Sequence, residues 1–154
     1  MYLHYKQYPH QTLLDSQISP YLQSQSNQPL QLLLDFSREL PELPERYEGH
    51  PELLEPVPEC QSPLFLVAEV EGAGDDAEVR LHFSAPAEAP TTRGFAGILH
   101  EGLDGLRVRE ILDVPADFSD QLGLGEAVSP LRLRGMSGML WRIKRQVELK
   151  AAAA

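Results

Sequence analysis

The chain has 154 residues, with 23 acidic against 13 basic side chains and a formal net charge of −10 at pH 7. This length is typical of one domain with a sizeable hydrophobic core, and the negative charge argues against nucleic acid or an anionic membrane surface as a partner. No apolar run approaches the length of a membrane span, and the polar start lacks the hydrophobic stretch of a signal peptide. A single cysteine fits a reducing compartment, so we expect the cytoplasm.

Residues 1–28 differ in composition from the rest of the chain. They are rich in Gln and Tyr, and only Lys6 and Asp15 are charged. A weak apolar grouping is present, but Pro20 interrupts any helix there. We therefore expect a flexible N-terminal extension over residues 1–28 and one folded domain over residues 29–150.

A first helix is predicted from Pro29, since proline is well tolerated in the first turn. Its apolar face is predicted from the spacing of Leu30, Leu33, Leu34 and Leu40. A segment rich in Pro and Glu follows, and the chain carries eight acidic and two basic residues between Asp35 and Glu59. This acidic run is either a solvated face or a surface that orients a partner.

Two strands are predicted over residues 64–70 and 77–83, joined by a connection rich in Gly and Asp that favours a hairpin. In the second strand, apolar residues alternate with polar ones, so one face is expected to be buried and the other wet. His82 falls on the polar face, where a solvated strand histidine is the expected interpretation.

Helices are predicted for most of the remaining chain. One runs from about Pro90 to Leu103, and Gly94 and Gly97 within it suggest a close approach of another backbone. Asp104 and Gly105 end it, and two short helices follow over residues 108–112 and 117–122, split by Pro115.

The last helix has the clearest pattern. Ser129 is a good N-cap and Pro130 suits the first helical position. A continuous apolar stripe, which we interpret as core packing, comprises Leu133, Met136, Leu140, Ile143 and Val147. Basic residues near the C-terminal end suit the helix dipole; they are Arg142, Lys144, Arg145 and Lys150.

Cys60 is the only cysteine, and it lies where the Pro- and Glu-rich segment meets the first strand. Pro63 favours an extended backbone at Ser62, so Gln61 and Ser62 are expected to be entering the strand already. One cysteine cannot form an internal disulfide or supply the thiolates of a structural zinc or iron–sulfur site. An inert buried thiol or a nucleophile remains.

A free-standing cysteine hydrolase would require a histidine base held by a third group. The three candidate histidines lie in no recognisable motif, which disfavours this function; they are His50, His82 and His100.

Several separated segments, over roughly residues 29–148, resemble the SufE family of sulfur-acceptor proteins in order and spacing. The matching segments are Leu40-Pro41-Glu42-Leu43-Pro44, Glu59-Cys60-Gln61-Ser62, Glu88, Arg93-Gly94-Phe95-Ala96, Ser129-Pro130-Leu131-Arg132 and Gly135-Met136. The resemblance implies an α+β fold in which helices pack on a small antiparallel sheet, of the SufE/IscU-like type, and this agrees with the predicted element order.

The resemblance also implies a function. Cys60 would accept sulfane sulfur from the persulfide of a pyridoxal-phosphate-dependent cysteine desulfurase and pass it to an iron–sulfur scaffold protein. The chain would stimulate that desulfurase rather than act as an independent enzyme. The pyridoxal phosphate would belong to the partner, so we expect no cofactor and no metal here. The alternative is a non-catalytic interaction module with an inert cysteine.

Further site residues follow from the same resemblance. Glu88 and Arg132 match family positions near the acceptor loop, and Gln61 and Ser62 belong to the loop itself. Two positions depart from the family pattern: Glu59 stands where glycine is usual, and Ala127 where histidine is common. A carboxylate beside the thiol disfavours the thiolate, so Glu59 is expected to raise the pKa of Cys60.

Overall fold

The computed structural model describes residues 29–126 and 128–153. The predicted extension over residues 1–28 and the departure at Ala127 lie outside the described residues. The helices are α1 (Pro29–Glu39), α2 (Pro90–Leu103), α3 (Val108–Leu112), α4 (Phe118–Gln121) and α5 (Pro130–Ala153). The strands are β1 (Glu55–Pro56), β2 (Phe65–Glu71) and β3 (Glu78–Ser84), and short 3-10 turns lie at Glu45–Tyr47, Pro51–Leu53 and Leu124–Glu126.

The three strands form one antiparallel sheet in the order β1-β2-β3. On its inner face, side chains that lie opposite each other on β2 and β3 enter the core; the pairs include Leu66 with Phe83 and Ala68 with Leu81. Helix α5 packs on β2 and helix α2 on β3. Helices packed on a small antiparallel sheet confirm the predicted α+β fold.

Helices α1 and α2 cross at close range, as the two glycines of α2 suggested. A Cβ added at Gly94 would lie 2.5 Å from the carbonyl oxygen of Leu33, and one at Gly97 would lie closer still to that of Phe36. The predicted apolar face of α1 was partly wrong, because Leu30 is 58% exposed. The buried stripe instead comprises Leu32, Leu33, Phe36 and Leu40.

Helix α5 begins as predicted, with the backbone N–H of Arg132 donating to Ser129 Oγ at 3.4 Å. Its apolar stripe is confirmed, with Leu133 half-buried and the other four members buried. Strand β1 has only two residues, so the edge of β2 continues beyond it. There, side chains of α5 satisfy the backbone of Ala68: Gln146 Oε1 accepts from its N–H at 2.8 Å, and Lys150 Nζ donates to its carbonyl at 2.6 Å.

The outer face of the sheet is partly covered by the segment that precedes β1. Glu69 accepts hydrogen bonds from Arg46 Nη2 at 2.6 Å and from the Tyr47 hydroxyl at 2.5 Å, and pairs with His82 Nε2 at 2.9 Å. Burial opposes the charged form of Glu69, but these partners outweigh it and hold its pKa at about 2. His82 is only 20% exposed, so its expected solvation was wrong: Tyr47 lies over it, with ring centroids 5.6 Å apart.

Candidate functional site

Cys60 lies in the connection between β1 and β2, which we call the Cys60 loop (residues 57–64). The loop is closed at its base by a hydrogen bond from Val57 N–H to the Leu64 carbonyl at 2.9 Å. The N–H of Cys60 donates to the Val57 carbonyl at 3.1 Å, which forms a turn that ends at the cysteine. Backbone bonds therefore fix the position of the thiol.

The prediction that Gln61 and Ser62 enter the strand was wrong. Both residues lie in bends, and β2 begins only at Phe65, opposite Pro56 of β1. Strand pairing starts only after Pro63, because the chain is still returning from the turn at Cys60.

Cys60 is half-buried, and it packs against α5 at a glycine. A Cβ added at Gly135 would lie 2.9 Å from Cys60 Sγ and 3.4 Å from Cys60 Cα. Any larger residue at position 135 would therefore push the cysteine away. This contact supplies a physical reason for the Gly-Met pair in the resemblance.

The thiol borders a small cavity of about 60 Å³ between the Cys60 loop, the first turn of α2 and the first turns of α5. The residues that line it are Cys60, Gln61, Ser62, Thr91, Thr92, Phe95, Arg132 and Gly135. Hydroxyl groups and a guanidinium are hydrogen-bond donors, so these walls suit a negatively charged sulfur species. Four of the predicted site residues thus share one cavity. Glu88 lies exposed in the turn before α2 and is not among the described residues that line the cavity.

Glu59 points away from the cavity and is held by an arginine of α5. Arg142 Nη2 donates to both carboxylate oxygens of Glu59, at 2.7 and 2.9 Å, and Arg142 Nη1 donates to Glu55 at 3.2 Å. A Cβ added at Gly138 would lie 2.9 Å from Glu59 Cδ. Two glycines of α5 therefore make room for two consecutive residues of the loop.

The electrostatic environment keeps the thiol protonated at neutral pH. Burial raises the pKa of Cys60 from 9.0 to about 11; the carboxylate of Glu59 acts in the same direction, and the Arg142 guanidinium opposes both. The expected effect of Glu59 thus has the right sign, but burial is the larger cause. Burial also disfavours the charged form of Glu59, but hydrogen bonds from Arg142 outweigh it and lower the pKa of that carboxyl.

Sequence reasoning missed several residues of this site. Thr91 and Thr92 lie in the first turn of α2 and line the cavity, but the sequence pattern identified only the apolar face of that helix. Gly135 was part of a matched motif without an assigned contact, and Arg142 was attributed to the helix dipole. Three- and four-residue steps from Arg132 through Gly135 and Gly138 to Arg142 show that these residues share one side of α5. That spacing was the signal in the sequence that could have grouped these residues.

The histidines that a hydrolase would require have other neighbours in the described part of the chain. His50 pairs with Glu52 at 2.9 Å, His82 with Glu69, and His100 lies 3.8 Å from Asp104. None of the three is among the residues found to line the Cys60 cavity.

Two kinds of feature are absent from the described residues. No group of three or more His, Cys, Asp or Glu residues there is arranged to hold a metal ion. Within the same residues, no helix combines the length and apolarity needed to cross a membrane.

The fold and the site define a class: an α+β protein that carries one half-buried cysteine on a hairpin loop against a long C-terminal helix. The chain belongs to the SufE family, because residues 17–147 match the family model described as an Fe-S metabolism associated domain. Membership of this family places the chain in Fe–S related sulfur metabolism. The family is generally associated with cysteine desulfurase partners.

Several known proteins are similar over most of their length. Uncharacterized SufE-like proteins from two strains of Mycobacterium tuberculosis are 56% identical over 130 residues, which cover 84% of this chain and 87% of theirs. One from Rhizobium meliloti is 30% identical and covers 75% of this chain and 80% of its own. The solution structure of a hypothetical protein from Thermus thermophilus superposes with a TM-score of 0.66 at 43% identity, covering 78% of this chain and 82% of that one.

Proposed function

We propose that this protein accepts persulfide sulfur on Cys60 from a cysteine desulfurase and passes it to an iron–sulfur cluster assembly scaffold. The single observation that carries this proposal is the position of the one thiol. Cys60 lies on a hairpin loop, beside a cavity lined by hydroxyl groups and Arg132, rather than inside the apolar core.

The transfer is an exchange at sulfur that needs no external oxidant or reductant. The Cys60 thiolate attacks the outer sulfur of the partner's persulfide, and a new S–S bond forms as the old one breaks. The electron pair of the broken bond stays on the partner's cysteine, which takes up a proton in place of the one that Cys60 lost. Handing the sulfur to the scaffold repeats the exchange, with Cys60 as the leaving thiolate.

The raised pKa of Cys60 indicates where this reaction is controlled. At neutral pH the resting thiol is protonated and is a weak nucleophile. We infer that deprotonation accompanies docking, when the partner changes the surroundings of the thiol. Such coupling would keep Cys60 unreactive toward other electrophiles between encounters.

The test is to incubate the protein with a pyridoxal-phosphate-dependent cysteine desulfurase from the same genome and free cysteine. Intact-mass analysis should show one added sulfur atom on the wild-type chain and none on Cys60→Ser. Absence of added sulfur on the wild-type chain, while the desulfurase turns over, would remove the acceptor role.

A second candidate function is an interaction module whose cysteine is inert. The half-burial and raised pKa of Cys60 favour it, because both are typical of an unreactive thiol. Desulfurase turnover separates the two functions. If Cys60→Ser stimulates the desulfurase as strongly as the wild-type chain does, the interaction module is the better description.

A further inference from the structure

Arg142 joins α5 to the Cys60 loop through a contact that spans 83 positions of the sequence. Its guanidinium donates to both oxygens of Glu59 and to one oxygen of Glu55, and it lies 5.4 Å from the centre of the Trp141 ring. The side chain is only 14% exposed. One nitrogen, Nη2, makes both bonds to Glu59, whose own side chain is 36% exposed, while Nη1 bonds Glu55. Because the largely buried guanidinium bridges two carboxylates, it fixes geometry better than a single flexible surface pair does.

The Glu59 side chain also packs against the surface of α5. Gly138 leaves the space that the Glu59 side chain occupies, and Gly135 leaves the space for Cys60. Residues 135, 138 and 142 lie on one side of α5, at spacings of three and four. The loop therefore rests on a shallow, glycine-lined surface, and Arg142 holds it there by the residue next to the cysteine.

We propose that Arg142 is a positioning residue that holds Cys60 against α5 through Glu59, so that this ion pair sets the resting position and the reactivity of the thiol. The purpose of this contact rests on the proposed function, whereas its test by alkylation does not. Release would be easier than for a fully satisfied arginine, because Arg142 Nε is buried without a hydrogen-bond partner among the described residues.

Removal of Arg142 should change the pKa of Cys60 in opposite directions, depending on whether Arg142 holds the loop or acts only through its charge. The charged groups that face Cys60 are Glu59 from its own loop and Arg132 and Arg142 from α5, while α2 contributes only uncharged threonines. With the loop in place, loss of the Arg142 charge would raise the pKa of Cys60 further and slow its alkylation. With the loop released, the thiol would gain solvent and its pKa would fall toward the ordinary 9.0.

The experiment is alkylation of the free protein by iodoacetamide, followed by intact mass over a pH series. Arg142→Met should react about ten- to 100-fold faster than wild type at neutral pH, since two pKa units correspond to about 100-fold in thiolate. The midpoint of its pH profile should move down. A slower or unchanged rate, with an unchanged or raised midpoint, would overturn the proposal.

Three further variants separate the loop contact from other effects. Arg145→Met is the matched control, because Arg145 also bonds Glu55 and lies 5.3 Å from the Trp141 ring centre but has no bond to Glu59; it should react like wild type. Glu59→Gln should also accelerate alkylation, although loss of its charge alone acts in the same direction. If Arg142→Met fails to fold, Arg142→Lys keeps the test available, because it retains the positive charge and faster alkylation than wild type then points to the altered contact. Arg142→Lys, which keeps the charge but cannot bridge Glu59 and Glu55 through two separate nitrogens, should fall between wild type and Arg142→Met.

Coupling between the two residues is the decisive readout. If Arg142 acts through Glu59, the double variant Glu59→Gln/Arg142→Met should react no faster than the faster single variant. Independent, multiplying effects would contradict the proposal. Alkylation needs no partner protein, so its outcome stands whether or not the desulfurase loads sulfur on Cys60. A chain that fails to accept sulfur can still show the predicted alkylation pattern, and the reverse also holds.

Discussion

Gly135→Ala tests whether the contact between α5 and the Cys60 loop determines how reactive the thiol is. The added methyl would lie 2.9 Å from Cys60 Sγ, 3.4 Å from Cys60 Cα and 3.7 Å from Cys60 Cβ. Rotation of the thiol can relieve the first contact, but the approach to Cα remains tight. We therefore expect the loop to shift outward.

Two opposing effects set the stability of this variant. Alanine in a helix interior is favoured over glycine by about 1 kcal/mol, whereas an added methyl in a packed contact costs about 1–3 kcal/mol. The net loss in the free energy of unfolding should be at most about 2 kcal/mol. It should be close to zero if the loop yields freely.

Reactivity should change far more than stability. As Cys60 leaves the surface of α5, burial no longer raises its pKa to about 11, and alkylation at neutral pH should accelerate about tenfold or more. Urea unfolding and alkylation followed by intact mass measure the two quantities. Ser137→Ala is the control, because Ser137 lies on the exposed side of the same helix. An alkylation rate for Gly135→Ala equal to that of this control would refute the reasoning.

Four other outcomes are expected. Glu59→Gly should speed alkylation of Cys60 and lower its apparent pKa, because it removes both the carboxylate and the contact that holds the loop; no change in rate or pKa would remove Glu59 from the mechanism. Gly97→Ala should cost about 2 kcal/mol or more in urea unfolding, because the methyl would meet backbone of α1; a neutral result would contradict that crossing. Glu69→Gln should lower the free energy of unfolding by about 1–2 kcal/mol at neutral pH, after allowance for solvent screening. Wild type should lose this contribution as the pH falls from ~4.5 to ~2, so the variant should show a flatter stability profile there. Equal profiles would refute this expectation. Association with a desulfurase should slow with added salt if the acidic run from residue 35 to 59 steers docking, and a flat profile would make the run a solvated face.

Local patterns predicted most of the fold correctly. The alternation in the second strand and the three- and four-residue steps in α5 reflect burial on one face, so they could be interpreted without tertiary contacts. Gly94 and Gly97 were informative because a glycine inside a helix is unfavourable unless something packs against it. For the same reason, the close approach of another backbone to α2 was predicted, although the sequence did not show that this backbone belongs to α1.

Most of the errors have one cause, which is contact between distant segments; the strand entry expected at Gln61 and Ser62 failed for a local reason, the turn at Cys60. Strand β1 has two residues and includes Pro56, so it has no alternation to detect. His82 was expected to be solvated because its own strand shows a polar face, yet Tyr47 from a separate segment covers it. Leu30 was counted as core because its spacing fits, but nothing in the sequence shows where the neighbouring helix begins to cover α1.

The acidic run illustrates how such contacts change a functional interpretation. Of its eight carboxylates, the two that lie closest to Cys60 in sequence are Glu55 and Glu59, and both are bonded to arginines of α5. They are therefore largely neutralised within the chain. Any steering of a basic partner is therefore expected mainly from the other six.

Glu59 and Arg142 are best understood as one unit, although the sequence assigns them to different roles. Considered alone, Glu59 is a charge beside a thiol, and Arg142 is a cation near the end of a helix. Joined by an ion pair, they give Cys60 a carboxylate that raises its pKa and a guanidinium that lowers it, and both are fixed at the same place. The two charges act on the thiol in opposite directions, with the effect of Glu59 the larger, whereas both residues restrain the loop. We therefore expect Glu59 to act on this site by restraining the loop as well as by disfavouring the thiolate.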